Sequence, residues 1–172
     1  MDDHDRNLFL DSFACRVNRI DARIVAYCLM GNHFHLILSQ TSSDAIARLM
    51  HSALTSYVRR FNARHDRYGT LFQGRFKAAR IDDANYLRTA IAYVHLNPLD
   101  LRHVNRFEDY EFSSHRLFAG GRSSDWFDPD LPCEIFGSVE GYVRHMRFAE
   151  RKRKQISREI SAMWSPASAS RG

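Results

Sequence analysis

Residues 26–38 are the stretch that most constrains the fold of this chain. Two apolar runs flank the pair Gly31-Asn32, which is the pattern of a strand, a tight turn and a second strand. Side chains alternate faces along a strand, so the second run places His33 and His35 on one face and the apolar residues between them on the other. At a rise of about 3.3 Å per residue, both imidazoles can reach one divalent ion. The same spacing also suits a histidine pair that packs on a half-buried strand and binds nothing.

The composition is that of an ordinary globular domain with a basic balance. Of 172 residues, 44% are apolar and 26% are charged, and 25 Lys and Arg face 20 Asp and Glu, for a pI near 9.4. This excess favours an anionic partner such as nucleic acid. Three widely spaced cysteines indicate neither a disulfide framework nor a zinc ribbon. No apolar run approaches the roughly 18 residues of a membrane span, so we expect a cytoplasmic protein with no membrane partner.

The periodicity of apolar residues predicts four main helices and one hairpin. Helices are predicted over 3–19, 43–64, 83–96 and 139–160, and strands near 23–30 and 33–39. Pro98 must end the third helix, because proline disfavours helical geometry in the residue before it.

The third helix carries an apolar stripe and a polar stripe. The first consists of Leu87, Ile91 and Val94, and the second of Tyr86, Ala90, Tyr93 and Asn97. The apolar stripe is typical of a core face. The polar stripe places the Tyr93 hydroxyl and, one turn later, the Asn97 carboxamide on one side. His95 points elsewhere and is a weaker candidate for the same site.

Basic residues are concentrated at the end of the second helix and in the segment that follows it. Those at the helix end are Arg59, Arg60 and Arg64. They either complement the negative end of the helix dipole or contact phosphate. Residues 73–81 alternate like a strand, which would place Arg75 and Lys77 together on one face.

A second basic run, residues 151–154, lies near the end of the chain. It is either a solvated helix end or a nonspecific DNA-binding arm.

Three motifs in this order and spacing resemble those of the single-tyrosine HUH transposases. They are residues 26–35, residues 71–77 and residues 93–99, and the resemblance covers about residues 3 to 118. Within that family the chain is most similar to the REP-associated tyrosine transposases, relatives of the insertion-sequence-200 type. The resemblance implies an α+β fold, ferredoxin-like or RRM-like, with a central antiparallel sheet and helices packed on it. We expect a transposase domain over 1–118, a helical extension over 119–160 and a disordered tail over 161–172.

The resemblance also implies an activity and a set of site residues. Tyr93 would be the nucleophile, with His33, His35 and Asn97 as ligands of Mg2+ or Mn2+. The enzyme would cleave and rejoin single-stranded DNA beside hairpins such as REP-like palindromes, through a 5'-phosphotyrosine intermediate. As monomer or homodimer, it would read the DNA through Arg59, Arg60, Arg64, Gln73, Arg75 and Lys77.

Two departures from the family pattern leave an alternative open. Family members begin with a strand before the first helix, whereas Met1 stands at the start of that helix, so we expect an unpaired sheet edge. Asp100-Leu101-Arg102 stands where a basic and small pair is usual. The alternative is a protein of this fold that binds DNA hairpins without cleaving them. A hydrolytic metal enzyme is a third hypothesis, but no carboxylate is placed by sequence as its general base.

Overall fold

The computed structural model describes residues 1–120, 124 and 126–163. Its α-helices are α1 (Asp3–Val17), α2 (Ala45–Arg64), α3 (Ala84–Leu96), α4 (His115–Phe118), α5 (Leu131–Phe136), α6 (Val139–Arg151) and α7 (Arg153–Met163). The strands are β1 (Ala22–Leu29) and β2 (Phe34–Gln40), and 3-10 turns cover Asn97–Asp100 and Phe107–Asp109. The predicted hairpin and the first three predicted helices are confirmed to within two residues at nearly every boundary.

The two strands form an antiparallel hairpin in which Cys28 pairs with His35 and Leu29 with Phe34. The turn closes through a hydrogen bond that the Met30 amide donates to the His33 carbonyl oxygen, at 2.8 Å. Every residue of β1 except Arg23 is buried. A strand buried on both faces is a continuous apolar run in sequence, as this one is.

Helices cover both faces of the hairpin. On one face the Phe34 ring lies 4.9 Å from the Phe9 ring of α1, which in turn lies 5.1 Å from the Tyr57 ring of α2. On the opposite face the His35 ring lies 5.3 Å from the Tyr93 ring of α3. The α+β prediction, an antiparallel sheet with helices packed on it, is therefore confirmed.

The strand predicted over 73–81 is wrong. This segment is irregular and mostly exposed, and β1 and β2 are the strands of the described part of the chain. Alternation of side chains specifies two faces, but a strand also needs a neighbouring edge with which to form its backbone hydrogen bonds. No such ladder forms here among the described residues, and the Phe76 side chain is 45% exposed.

The C-terminal helices pack onto α3. The predicted helix over 139–160 is two helices, α6 and α7, separated at Lys152. Residues 161–163 of the predicted tail belong to α7, and residues 164–172 lie outside the described residues. No helix in the described part of the chain is both long enough and apolar enough to cross a membrane.

Candidate active site

The histidine pair stands at the start of β2, on the face turned toward α3. The centroids of the His33 and His35 rings lie 5.1 Å apart, with the ring planes nearly perpendicular. Phe34, between them, points to the opposite face and contacts Phe9 and Phe72. The predicted alternation is thus observed, and the two imidazoles share one face.

Each imidazole has a ring nitrogen that is not engaged by another described residue. His33 Nδ1 lies 2.7 Å from Asn32 Oδ1. When Nδ1 donates its proton to this oxygen, Nε2 keeps a free lone pair with which it can bind a metal ion. The Nε2 atom of His35 is buried and has no hydrogen-bond partner among the described residues. Burial and the neighbouring His33 lower the pKa of His35 to about 4, opposed in part by Asn97 and Asp100. His35 is therefore neutral near pH 7, the form in which a histidine binds a metal ion.

Helix α3 brings Tyr93 to this face. The helix begins where the Asp83 carboxylate accepts a hydrogen bond from the Tyr86 amide, at 2.7 Å. Three turns later the Tyr93 ring lies 5.3 Å from the His35 ring. Burial raises the pKa of the Tyr93 phenol; the Asn97 side chain opposes this shift and the Asp100 carboxylate adds to it. The phenol therefore needs help from a positive charge or a base to ionise at neutral pH.

Asn97 ends the helix and turns its side chain back toward Tyr93. It is buried, and its Nδ2 donates a hydrogen bond of 2.8 Å to the Tyr93 carbonyl oxygen. The backbone N–H of Asn97 donates to the same carbonyl. With the amide nitrogen held in this way, Oδ1 remains available as a ligand.

These donors fit a divalent cation. Two imidazole nitrogens and one amide oxygen suit Mg2+ and the divalent ions of the first transition row. Among the described residues no group of three or more His, Cys, Asp or Glu side chains could hold a metal ion. A site formed by His33 and His35 therefore depends on the amide oxygen of Asn97.

The site opens onto a large groove between β2 and the irregular segment 76–84. The groove has a volume of about 940 Å³, and its walls include His35 and Tyr93 as well as Lys77 and Arg80. Phe76, half exposed, also lines it. The carboxylates of Asp82 and Asp83 line the groove as well, and Arg80 is paired with Asp82, so Lys77 is the cation of the lining without a carboxylate partner among the described residues.

The predicted DNA-binding residues fall into three groups. Gln73, Arg75 and Lys77 lie in the exposed segment beside the groove, although only Lys77 lines it. Arg59 and Arg60 are exposed on α2, and Arg60 lies 3.9 Å from Asp11.

Arg64 differs from the other predicted DNA-binding arginines. Its Nη1 lies 2.6 Å from the buried Asp5 carboxylate, and its Nη2 lies 2.7 Å from Asp2. Asp2 and Asp5 form the capping box of α1. The Arg64 guanidinium is therefore engaged in fastening the start of α1 to the end of α2.

A buried polar network behind Tyr93 was not apparent from the sequence. His95 Nε2 lies 2.7 Å from Ser114 Oγ, and His95 Nδ1 lies 2.8 Å from the Tyr142 hydroxyl of α6. Ser114 Oγ also accepts a hydrogen bond of 2.9 Å from the Tyr27 amide of β1. The network thus connects the hairpin, the helix that carries Tyr93 and the C-terminal helices.

Sequence reasoning also missed Arg153. It stands at the start of α7, and its Nη2 lies 2.8 Å from Asp100 Oδ1. Arg153 and Asp100 line a small cavity together with Tyr93 and Asn97. The only signal in the sequence was the basic run 151–154, which does not indicate which of its members faces the site.

Comparison with known protein families identifies a family match. The family model described as "Transposase IS200 like" matches residues 1–97, more than half of the chain. The matched range contains His33, His35 and Tyr93, and it ends at Asn97. No curated protein and no solved structure matches the chain.

Proposed function

Because the chain belongs to the IS200-like transposase family, we propose that it cleaves and rejoins single-stranded DNA with Tyr93 as the nucleophile. The observation that carries this proposal is the position of Tyr93 against the histidine pair, with a ring-to-ring distance of 5.3 Å to His35. A tyrosine with only a structural role does not need a buried histidine with an unpaired ring nitrogen beside it. A tyrosine that attacks a phosphodiester does need metal ligands nearby.

His33, His35 and Asn97 would hold Mg2+ or Mn2+. When bound, such an ion withdraws charge from the scissile phosphate and favours the ionised phenol. The unpaired Nε2 of His35 and the low pKa of its imidazole support this assignment, because a buried nitrogen without a partner is unfavourable unless a ligand occupies it.

The chemistry of tyrosine accounts for both cleavage and rejoining. The Tyr93 oxygen forms a bond to phosphorus as the bond from phosphorus to the 3' oxygen breaks. The phenol loses its proton, and the departing 3' oxygen gains one. The 5'-phosphotyrosine keeps the energy of the broken bond, so a 3'-hydroxyl can later attack it and displace the tyrosine without an external energy source.

The groove beside the site is suited to a single strand. Lys77 offers positive charge to the phosphates, and the half-exposed Phe76 ring offers a surface on which a base can stack. Arg80 would have to share its guanidinium between Asp82 and a phosphate. Gln73, Arg75, Arg59 and Arg60 would extend these contacts to a hairpin of the REP type. The basic balance of the whole chain agrees with such a substrate.

The decisive experiment mixes the protein with single-stranded hairpin oligonucleotides and Mn2+. We expect a protein–DNA adduct that survives denaturation and is abolished in Tyr93→Phe. Tyr86→Phe is the matched control, because it removes a phenol from the same stripe of the same helix and should leave the adduct intact.

Other outcomes would contradict the proposal in distinct ways. Tight binding without an adduct would favour the hairpin-binding alternative. Cleaved DNA without an adduct would mean that water is the nucleophile. An adduct lost in Tyr86→Phe and retained in Tyr93→Phe would overturn the choice of tyrosine.

A further inference from the structure

Helix α7, outside the range matched by the family model, forms one wall of the candidate site. Its Ile156 and Ile160 side chains are buried, and Ile160 lines the large groove beside Tyr93. Ile156 and Ser157 line the small cavity that Tyr93 and Asn97 also border. Because two buried isoleucines hold the helix, the position of its first residue, Arg153, is fixed relative to Tyr93.

Arg153 has donors to spare at this position. Its Nη2 contacts Asp100 Oδ1 at 2.8 Å, and Asp100 is its only hydrogen-bond partner among the described residues. A guanidinium carries five N–H donors in a planar fork. Its side chain is 35% exposed and lines the small cavity that Tyr93 also borders, so the remaining donors can be reached from that cavity or from solvent.

The ion pair with Asp100 does little for stability. The two side chains are 35% and 58% exposed, and exposed pairs of this kind contribute little to folding. Asp100 closes the 3-10 turn that begins at Asn97, so the pair stands directly beside the predicted ligand.

An uncompensated carboxylate at this place would oppose the proposed reaction. Asp100 lines the small cavity together with Tyr93, and its negative charge would repel a phosphate brought to the phenol. Arg153 cancels that charge, and its fork matches the geometry of two phosphate oxygens.

We propose that Arg153 is a phosphate-binding residue of the active site, held in place by Asp100. The inference rests on the proposed function and adds to it a residue from the C-terminal helix. When the phosphate that Tyr93 attacks is in place, the guanidinium keeps its bond to Asp100 and donates its remaining N–H groups to the phosphate oxygens. Asp100 is thus a positioning residue for Arg153.

The test compares Arg153→Ala, Arg153→Lys and Asp100→Asn with Arg158→Ala, which removes an exposed arginine from the same helix. Affinity for a single-stranded hairpin oligonucleotide is measured by fluorescence anisotropy in EDTA over a range of salt concentrations. Single-turnover adduct formation is measured with Mn2+, and thermal unfolding reports on the fold.

We expect Arg153→Ala to slow adduct formation roughly tenfold or more and to lower the salt slope of binding by about one, with little change in thermal stability. Arg153→Lys should restore the salt slope but only part of the rate, because an ammonium lacks the fork. Asp100→Asn should tighten DNA binding severalfold, since it removes a repulsive charge.

The proposal is overturned if Arg153→Ala and Arg158→Ala have the same effect on affinity and rate. It is also overturned if Arg153→Ala lowers thermal stability but changes neither DNA affinity nor the rate of adduct formation, which would give the ion pair a purely structural role. If the unmodified protein forms no adduct, the proposed function fails, and the salt slopes in EDTA still decide whether Arg153 binds phosphate.

Discussion

A buried imidazole nitrogen without a hydrogen-bond partner lowers the stability of a protein, and His35 carries one. The ring that carries this atom lies 5.3 Å from the Tyr93 ring, measured between centroids. A side chain that destabilises the fold at the centre of the candidate site is typical of residues kept for function.

We therefore expect His35→Leu to make the metal-free protein more stable and to weaken metal binding. Replacing the unpaired nitrogen with a methyl group of similar bulk should raise the free energy of unfolding by about 1 kcal/mol. Affinity for Mn2+, measured by titration calorimetry, should fall by more than about tenfold.

His33→Leu is the matched control, because His33 is exposed and its Nδ1 already contacts Asn32. It should weaken Mn2+ binding without raising stability in urea denaturation. A loss of stability in His35→Leu would mean that His35 has a structural role in the apo fold.

The arrangement of the candidate site could be predicted at the level of single residues because each relation is local. A period of two places His33 and His35 on one face, and a step of four places Tyr93 and Asn97 on one side of a helix. His95 could be excluded from that side by the same arithmetic. Its contacts with Ser114 and Tyr142 could not be predicted, because they join residues 19 and 47 positions away.

Two arginines of α2 that look alike in the sequence have different surroundings where α2 meets α1. Arg64 bonds to Asp2 and to the buried Asp5, whereas Arg59 is exposed on the same helix. Burial raises the pKa of Asp5, but hydrogen bonds with His65, the Asp2 amide and Arg64 outweigh it and hold the pKa below its usual value.

Arg64→Ala should therefore lower the stability of the fold, and Arg59→Ala should weaken DNA binding. Removing Arg64 strips a buried carboxylate of one partner, and we expect a loss of about 2 kcal/mol in the free energy of unfolding, measured in urea. Arg59→Ala should leave stability unchanged and reduce the salt slope of DNA binding by about one. Equal stability in the two variants would contradict the structural role of Arg64.

Elements with a strong local signal could be predicted, and the segment 73–81 shows why others could not. Helices satisfy their own backbone hydrogen bonds, so periodicity and caps such as Asp83 nearly suffice to locate them. A strand depends on a partner strand that is often distant in sequence. The alternation of Arg75 and Lys77 carries no information about such a partner. The position of α7 beside Tyr93 is likewise decided by packing of Ile156 and Ile160 rather than by local pattern.

Across the whole molecule, buried histidines make the free energy of unfolding depend on pH. Burial lowers the pKa of His115 to about 4, with Glu108 opposing the shift and Arg116 adding to it. His115 lies between Phe107 and the Tyr142 hydroxyl, and burial also lowers the pKa of His95.

These shifts predict acid destabilisation. An unfolded histidine has a pKa near 6.5 and takes up a proton below it, whereas the folded His115 stays neutral down to about pH 4. Its contribution is present above pH 6.5 and is lost as the pH falls toward 4, by up to about 3 kcal/mol.

The measurement is urea denaturation at pH values from 7 to 4.5. His115→Asn, which can still bond to Tyr142 but does not titrate, should flatten the pH dependence in that window. The exposed His103→Asn should not change it. Part of the pH dependence should remain, because the pKa values of His35 and His95 are lowered as well. A dependence as steep in His115→Asn as in the unmodified protein would contradict the role of His115.

The bond between His95 and Tyr142 has a consequence for how the protein is made. A ribosome that has released the first 120 residues has supplied both histidines, Tyr93 and Asn97, but neither Tyr142 nor Arg153. The helix that carries the nucleophile acquires its last buried hydrogen bond only when α6 emerges. If Tyr93 is the nucleophile, as proposed, we therefore expect a growing polypeptide that has not yet completed α7 to form the DNA adduct more slowly than the full chain.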